Sequence, residues 1–149
     1  MKFSTREDIN APVEKVFRAV TDFERFERQF QKRGVEVERI AANNSTEAGN
    51  RWHACFNWRG RPHEVETELV SLDPNQGLAL RSQSKGVVCL SIVDLVALSK
   101  QHTRLFVSLD LKPTTLASRL LVQSLRIAKP RLSKKFKARV SDLANEISR

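Results

Sequence analysis

A chain of 149 residues with 40% hydrophobic content is long enough to bury a sizeable core, and no composition break divides it, so one domain over residues 1–149 is expected. No run approaches the roughly 18 to 20 apolar residues of a membrane span, and Met1 leads straight into Lys2-Phe3-Ser4-Thr5-Arg6-Glu7 without the apolar core of a signal peptide, which makes the cytoplasm the expected compartment. The net charge is +9, and between Thr115 and Arg149 nine basic residues face only Asp142 and Glu146, so the last segment carries most of the basicity.

Lys2 to Ile9 sets Phe3, Thr5, Glu7 and Ile9 against Lys2, Ser4, Arg6 and Asp8, the alternation of a strand. Pro12 suits a first helical position, and Val13, Val16, Phe17 and Val20 recur at helical spacing behind it. Asp22 then caps a second short helix that presents Phe23, Phe26 and Phe30 on one face, with Gly34 as its stop. Val35 to Ile40 gives another strand, closed by a turn at Asn43-Asn44-Ser45.

Arg51 to Trp58 alternates most strongly, with Trp52, Ala54, Phe56 and Trp58 on one face and His53, Cys55 and Asn57 on the other. After a turn at Gly60, His63 to Leu72 sets Val65, Thr67 and Leu69 against a solvent row of Glu64, Glu66 and Glu68. Leu78 to Ser84 and Val87 to Leu98 form a hairpin about Lys85-Gly86. Counting outward pairs Ser82 with Cys89, Leu80 with Ser91 and Leu78 with Val93 on one face. The opposite face, with Val88, Leu90, Ile92 and Val96, is nearly as apolar, which calls for a different register, a covering element or a second subunit. Thr103 to Leu111 is the last strand. The remainder reads as one long helix with a stripe of Leu121, Leu125, Ala128, Leu132, Phe136, Val140, Leu143 and Ile147, bent at Pro130.

An isoleucine ending a strand, then Asn10-Ala11-Pro12-Val13 and Val20-Thr21-Asp22-Phe23, resembles the opening of the START/polyketide-cyclase-like superfamily, also called SRPBCC or birch-pollen-allergen-like. A second anchor lies at the close, in Thr103-Arg104-Leu105, Leu111-Lys112-Pro113 and the helix end Asp142-Leu143-Ala144-Asn145-Glu146-Ile147. The resemblance covers essentially the whole chain. It implies an α+β helix-grip fold, in which a curved antiparallel sheet of about seven strands wraps a long C-terminal helix, with two short helices after the first strand. It also implies a mostly apolar cavity for a lipid, isoprenoid or polyketide-like molecule. Neither anchor is a catalytic motif, and fold alone does not decide activity.

Candidate ligand-binding residues follow from the inward faces: Phe26, Phe30, Trp52, Phe56, Trp58, Thr67, Leu80, Ser91, Leu121, Ser124 and Leu125. The aromatic strand is either a cavity wall or simply core, and Ser124 either orients a ligand or bonds its own preceding turn. No catalytic residue is assigned. The chain has no tyrosine, no Gly-rich phosphate loop and no nucleophile elbow, and its histidines sit near strand ends, with His53 sharing a face with Cys55 instead of the tryptophans. Cys55 and Cys89, the only cysteines, lie far apart in sequence, so neither a disulfide framework nor a metal motif is indicated, and no cofactor is implied.

Three functions remain open on these residues. The first is a carrier of a small hydrophobic ligand. A second is a cyclase- or hydrolase-like enzyme, which needs His53, Asp94 or Asp110 to face the cavity. The third is an interaction protein using either the outer apolar face, as in a homodimer, or the basic helix. In that helix Arg119, Arg126, Lys134 and Lys137 lie opposite the buried stripe and suit an anionic membrane surface. Nucleic acid is disfavoured because no aromatic residues interleave with those cations for base stacking.

Overall fold

A computed structural model describes residues 1–41 and 48–149; the turn expected at Asn43-Asn44-Ser45 lies outside the described residues. The elements run β1 (Lys2–Ile9), α1 (Val13–Val20), α2 (Phe23–Lys32), β2 (Glu36–Ala41), β3 (Arg51–Trp58), β4 (Arg61–Asp73), β5 (Gly77–Ser84), β6 (Val87–Ser99), β7 (His102–Pro113), α3 (Leu116–Ile127) and α4 (Lys129–Ser148). One antiparallel sheet has the order β1-β7-β6-β5-β4-β3-β2, so β1 and β2 are its edges.

The hairpins arise from local backbone chemistry. Arg59 and Gly60 (φ 53° and 74°) and Lys85 and Gly86 (φ 45° and 77°) each put two successive residues at positive φ, the turn whose twist matches its flanking strands. The second turn fixes the β5–β6 register as counted from sequence, pairing Ser82 with Cys89, Leu80 with Ser91 and Leu78 with Val93. Asp22 caps α2 by accepting the Arg25 amide at 3.3 Å, and Thr115 and Ser118 form a reciprocal capping box on α3.

The long final helix is two helices. The chain breaks at Ala128 (φ −92°, ψ 2°), and Pro130 stands in the first turn of α4, where its missing amide hydrogen leaves no bond unmade. In α3 the inward positions are Ser118, Val122 and Leu125, so Leu121 and Ser124 face solvent; their expected place on the buried stripe is corrected.

The core is concentrated at one end of the sheet. Ile9, Ala11, Val16, Val20, Phe23, Trp52, Leu69, Leu78, Leu95 and Leu105 pack there with Val140, Ala144 and Ile147 of α4. Polar contacts fasten the same end: the Asn10 amide donates to Ser148 Oγ at 3.1 Å, and Arg25 pairs with Glu146 at 2.6 Å.

Candidate functional site

Cross-strand register aligns the side chains that face α3 and α4. Trp52, Thr67, Ser82, Cys89 and Leu111 form one row; Leu69, Leu80, Ser91, Leu109 and Phe3 form the next. Trp52, Leu69 and Phe3 are buried, whereas Thr67, Ser82, Cys89, Leu111, Leu80, Ser91 and Leu109 are only half-buried, as are Val65, Val93 and Val107 beside them. Solvent therefore reaches the middle of the inward face, in contrast to the sealed core at its end.

This middle surface is apolar with a polar strip. Thr67 Oγ1 and Ser82 Oγ share a hydrogen bond at 2.8 Å, and Cys89 Sγ lies 3.9 Å from Ser91 Oγ. Burial, and secondarily the Asp110 charge, push the Cys89 thiol above its ordinary pKa despite the Ser91 contact. At the rim, Phe56 stacks on His63 with centroids 5.5 Å apart, and Trp58 meets the same imidazole edge-on at 5.7 Å. His63 is thus inward, on the parity of Val65, and its ring nitrogens make no hydrogen bond among the described residues.

The closed end is held by a half-buried ion pair. Glu27 of α2 accepts from Trp52 Nε1 at 2.7 Å and from Arg39 Nε and Nη2 at 2.9 and 2.6 Å, all on Oε1. Phe23 packs edge-on against Trp52 at 5.2 Å. The indole hydrogen thereby finds the acceptor a buried tryptophan needs.

Of the residues singled out from sequence, Trp52, Phe56, Trp58, Thr67, Leu80 and Ser91 share the inward face, and Phe26 and Leu125 are half-buried on their helices. Trp58 is half exposed at the rim. Phe30 is exposed in the last turn of α2, beside the edge strand β2, and so leaves the buried stripe on which it was expected. Leu121 is exposed, and Ser124 donates to the Leu121 carbonyl at 2.7 Å, bonding its own turn. His53, Asp94 and Asp110 lie on outward positions. The inward set also contains Glu27, Arg39, His63, Ser82 and Cys89, which sequence reasoning did not select. Parity carried a signal for His63, Ser82 and Cys89, whereas the Glu27 contact joins separate elements and has no local signature.

Among the described residues, shallow depressions of about 310 and 290 Å³ lie on the outer face, one beside Arg6, Ile92, Asp94 and Phe106, another beside His53, Glu64, Glu66 and Lys85. The β5–β6 register is the one counted from sequence, so Val88, Leu90, Ile92 and Val96 do project outward, and Val96 is exposed.

A curved seven-stranded antiparallel sheet closed over C-terminal helices defines the helix-grip class of α+β proteins. The chain belongs to the family described as polyketide cyclase/dehydrase and lipid transport, which matches residues 1–147. Similar solved structures include the Zhui aromatase/cyclase from Streptomyces sp. R1128, with TM-score 0.74, 14% identity and coverage of 100% of this chain and 94% of that one. Truncated norcoclaurine synthase from Thalictrum flavum matches with TM-score 0.70 and 12% identity over 99% and 92% of the two chains. A START superfamily protein from Mycobacterium smegmatis matches with TM-score 0.62 and 18% identity over 95% and 98%. No curated protein matches the chain in sequence. Among the described residues no helix is long and apolar enough to cross a membrane.

Proposed function

We propose that the protein binds and carries a small hydrophobic molecule between the inward face of its sheet and the helices α3 and α4. The observation behind this reading is the half-burial of Leu80, Ser82, Cys89, Ser91, Leu109 and Leu111 at the centre of a sheet whose end is tightly packed. Apolar side chains left within reach of water gain free energy when an apolar ligand covers them, about 25 cal/mol per Å² removed from solvent. The hydroxyls of Thr67, Ser82 and Ser91 would orient such a ligand, as few, well-placed polar groups do in apolar pockets. Membership of a lipid-transport and cyclase family supports the same class of ligand.

Exchange at an anionic membrane surface extends this reading. On α3, Leu116, Leu120 and Ile127 are 76, 62 and 87% exposed, and they share one helical face with Arg119 and Arg126 beside it. Exposed apolar residues flanked by cations are the chemistry of a helix that lies in the headgroup layer. A cyclase-like enzyme is the second reading, favoured by the inward imidazole of His63 against Phe56. His63→Gln would then abolish turnover while preserving ligand uptake.

The test is uptake of anilinonaphthalene sulfonate together with native mass spectrometry of protein from its own host, in wild type and Ser91→Phe. In a vacant trough the added ring is accommodated: uptake is lost and thermal stability holds. A filled core would instead be overpacked, losing about 1–3 kcal/mol. Absence of uptake by wild type, or that destabilisation in the variant, overturns the reading.

A further inference from the structure

The outer face of the β3–β4 hairpin gathers ligand atoms of a different chemistry. His53 and Cys55 are two residues apart on β3 and so project from the same side. Register places Glu64 of β4 and Glu36 of β2 on either side of Cys55, and Glu66 and Glu38 on either side of His53. His53 Nε2 lies 4.0 Å from Cys55 Sγ and 3.9 Å from Glu64 Oε2. One ligand atom from each of the three falls within 4.8 Å of the others.

With Zn–N near 2.0 Å and Zn–S near 2.3 Å, neighbouring donors around a tetrahedral zinc are separated by about 3.3–3.6 Å. Two of the edges here exceed that by about half an ångström, which small side-chain rotations close, and the third is within reach of the exposed Glu64 side chain. His53 and Cys55 stand on a strand paired on both sides, so they are largely oriented in advance.

We propose that His53, Cys55 and Glu64 bind a divalent cation of the zinc class, with its fourth position open to solvent. An imidazole, a thiolate and a carboxylate suit a borderline-soft ion, whereas calcium and magnesium take oxygen donors. A thiolate and a carboxylate balance the two positive charges, with the proton of Cys55 released to solvent on binding, and Glu36, Glu38 and Glu66 add a negative field. The ion joins β3 to β4 directly behind the strand pair that carries Phe56, Trp58 and His63 on its inward side. This site is independent of the trough and of its occupant.

Titration of the reduced, untagged full chain with Co²⁺ and then Zn²⁺ tests the proposal. Wild type is expected to bind one Co²⁺ with a thiolate-to-cobalt charge-transfer band and the strong visible absorption of tetrahedral coordination, both erased by Zn²⁺. Cys55→Ser removes the charge-transfer band, His53→Gln and Glu64→Gln each weaken binding by at least about tenfold, and Cys89→Ala changes nothing. Circular dichroism of each variant verifies its fold, and the wild-type titration stands without them. No stoichiometric binding by wild type overturns the proposal. So does a band that survives Cys55→Ser or disappears with Cys89→Ala, or an affinity indifferent to His53→Gln and Glu64→Gln.

Discussion

The indole N–H of Trp52 donates to Oε1 of Glu27 at 2.7 Å, and Arg39 donates twice to that same oxygen. A single carboxylate thus ties α2 to two strands at the closed end of the sheet. Its side chain and that of Arg39 are 23 and 22% exposed, so water only partly replaces what a substitution removes. Glu27→Ala is expected to lower unfolding stability by about 2 kcal/mol, the range for stranding partly buried donors. Arg39→Met should then cost less in that background than in wild type, because its partner is already gone. Equilibrium denaturation of the four proteins checks this, and strictly additive effects would show that the groups do not act as a unit.

The same network marks where sequence reasoning stops. The hairpin register about Lys85-Gly86 was legible because two residues at positive φ leave one way to pair the strands. Local chemistry likewise revealed the Asp22 cap and the alternation of Trp52, Phe56 and Trp58. The partner of Trp52 was not legible, since Glu27 and Arg39 lie on other elements and their meeting is a product of tertiary packing. Leu121 and Ser124 were misplaced within α3 itself: stepping back four residues from Leu125 lands on Leu121, whereas the buried position lies three residues back, at Val122, and Ser124 was placed by reference to Leu121. The cluster of His53, Cys55 and Glu64 has no motif spacing either; it appears only when β3 is laid against β4.

At the sheet edge, Arg104 Nε and Nη2 donate to the two oxygens of Asp8 at 2.8 and 3.2 Å. The hydrogen bond and charge of Arg104, with Arg6 adding a smaller share, hold the Asp8 carboxyl below its ordinary pKa. A carboxylate depressed on folding contributes stability that is complete above its unfolded pKa and lost as pH falls through the folded one. Asp8→Asn should therefore be less stable than wild type at neutral pH, with the gap closing under acid. Urea denaturation across pH measures the gap, and a difference that is constant down to the most acid condition would contradict the assignment. The pair is solvent-exposed, so the gap should also shrink with added salt.

Leu120 and Ile127 of α3 are exposed, so replacing both with serine should leave thermal stability unchanged. Their burial in a headgroup layer would contribute about 1.5–3 kcal/mol each, which corresponds to a loss of vesicle binding of about a hundredfold to ten-thousandfold in the double variant. Co-sedimentation with vesicles of neutral and anionic phospholipid measures it. Binding restricted to anionic vesicles, and weakened by Arg119→Gln and Arg126→Gln, is the expected pattern. Equal binding by wild type and the leucine-isoleucine variant would remove α3 from membrane contact.

The two cysteines report on opposite faces of the sheet. Cys89 faces inward beside Ser82 and Ser91, while Cys55 faces outward beside His53 and Glu64. Both thiols are held above their ordinary pKa. For Cys89 burial leads, and for Cys55 partial burial leads, followed by Glu64, Glu36 and Glu38, so both should alkylate slowly at neutral pH. A molecule occupying the trough shields Cys89 and leaves Cys55 untouched; a zinc-class cation bound outside does the reverse. Iodoacetamide labelling read by peptide mass should accordingly show anilinonaphthalene sulfonate slowing Cys89 alone and Zn²⁺ slowing Cys55 alone. The pattern separates the two sites: loss of the first protection counts against a ligand beside Ser82 and Ser91, loss of the second against the outer metal site, and neither result bears on the other.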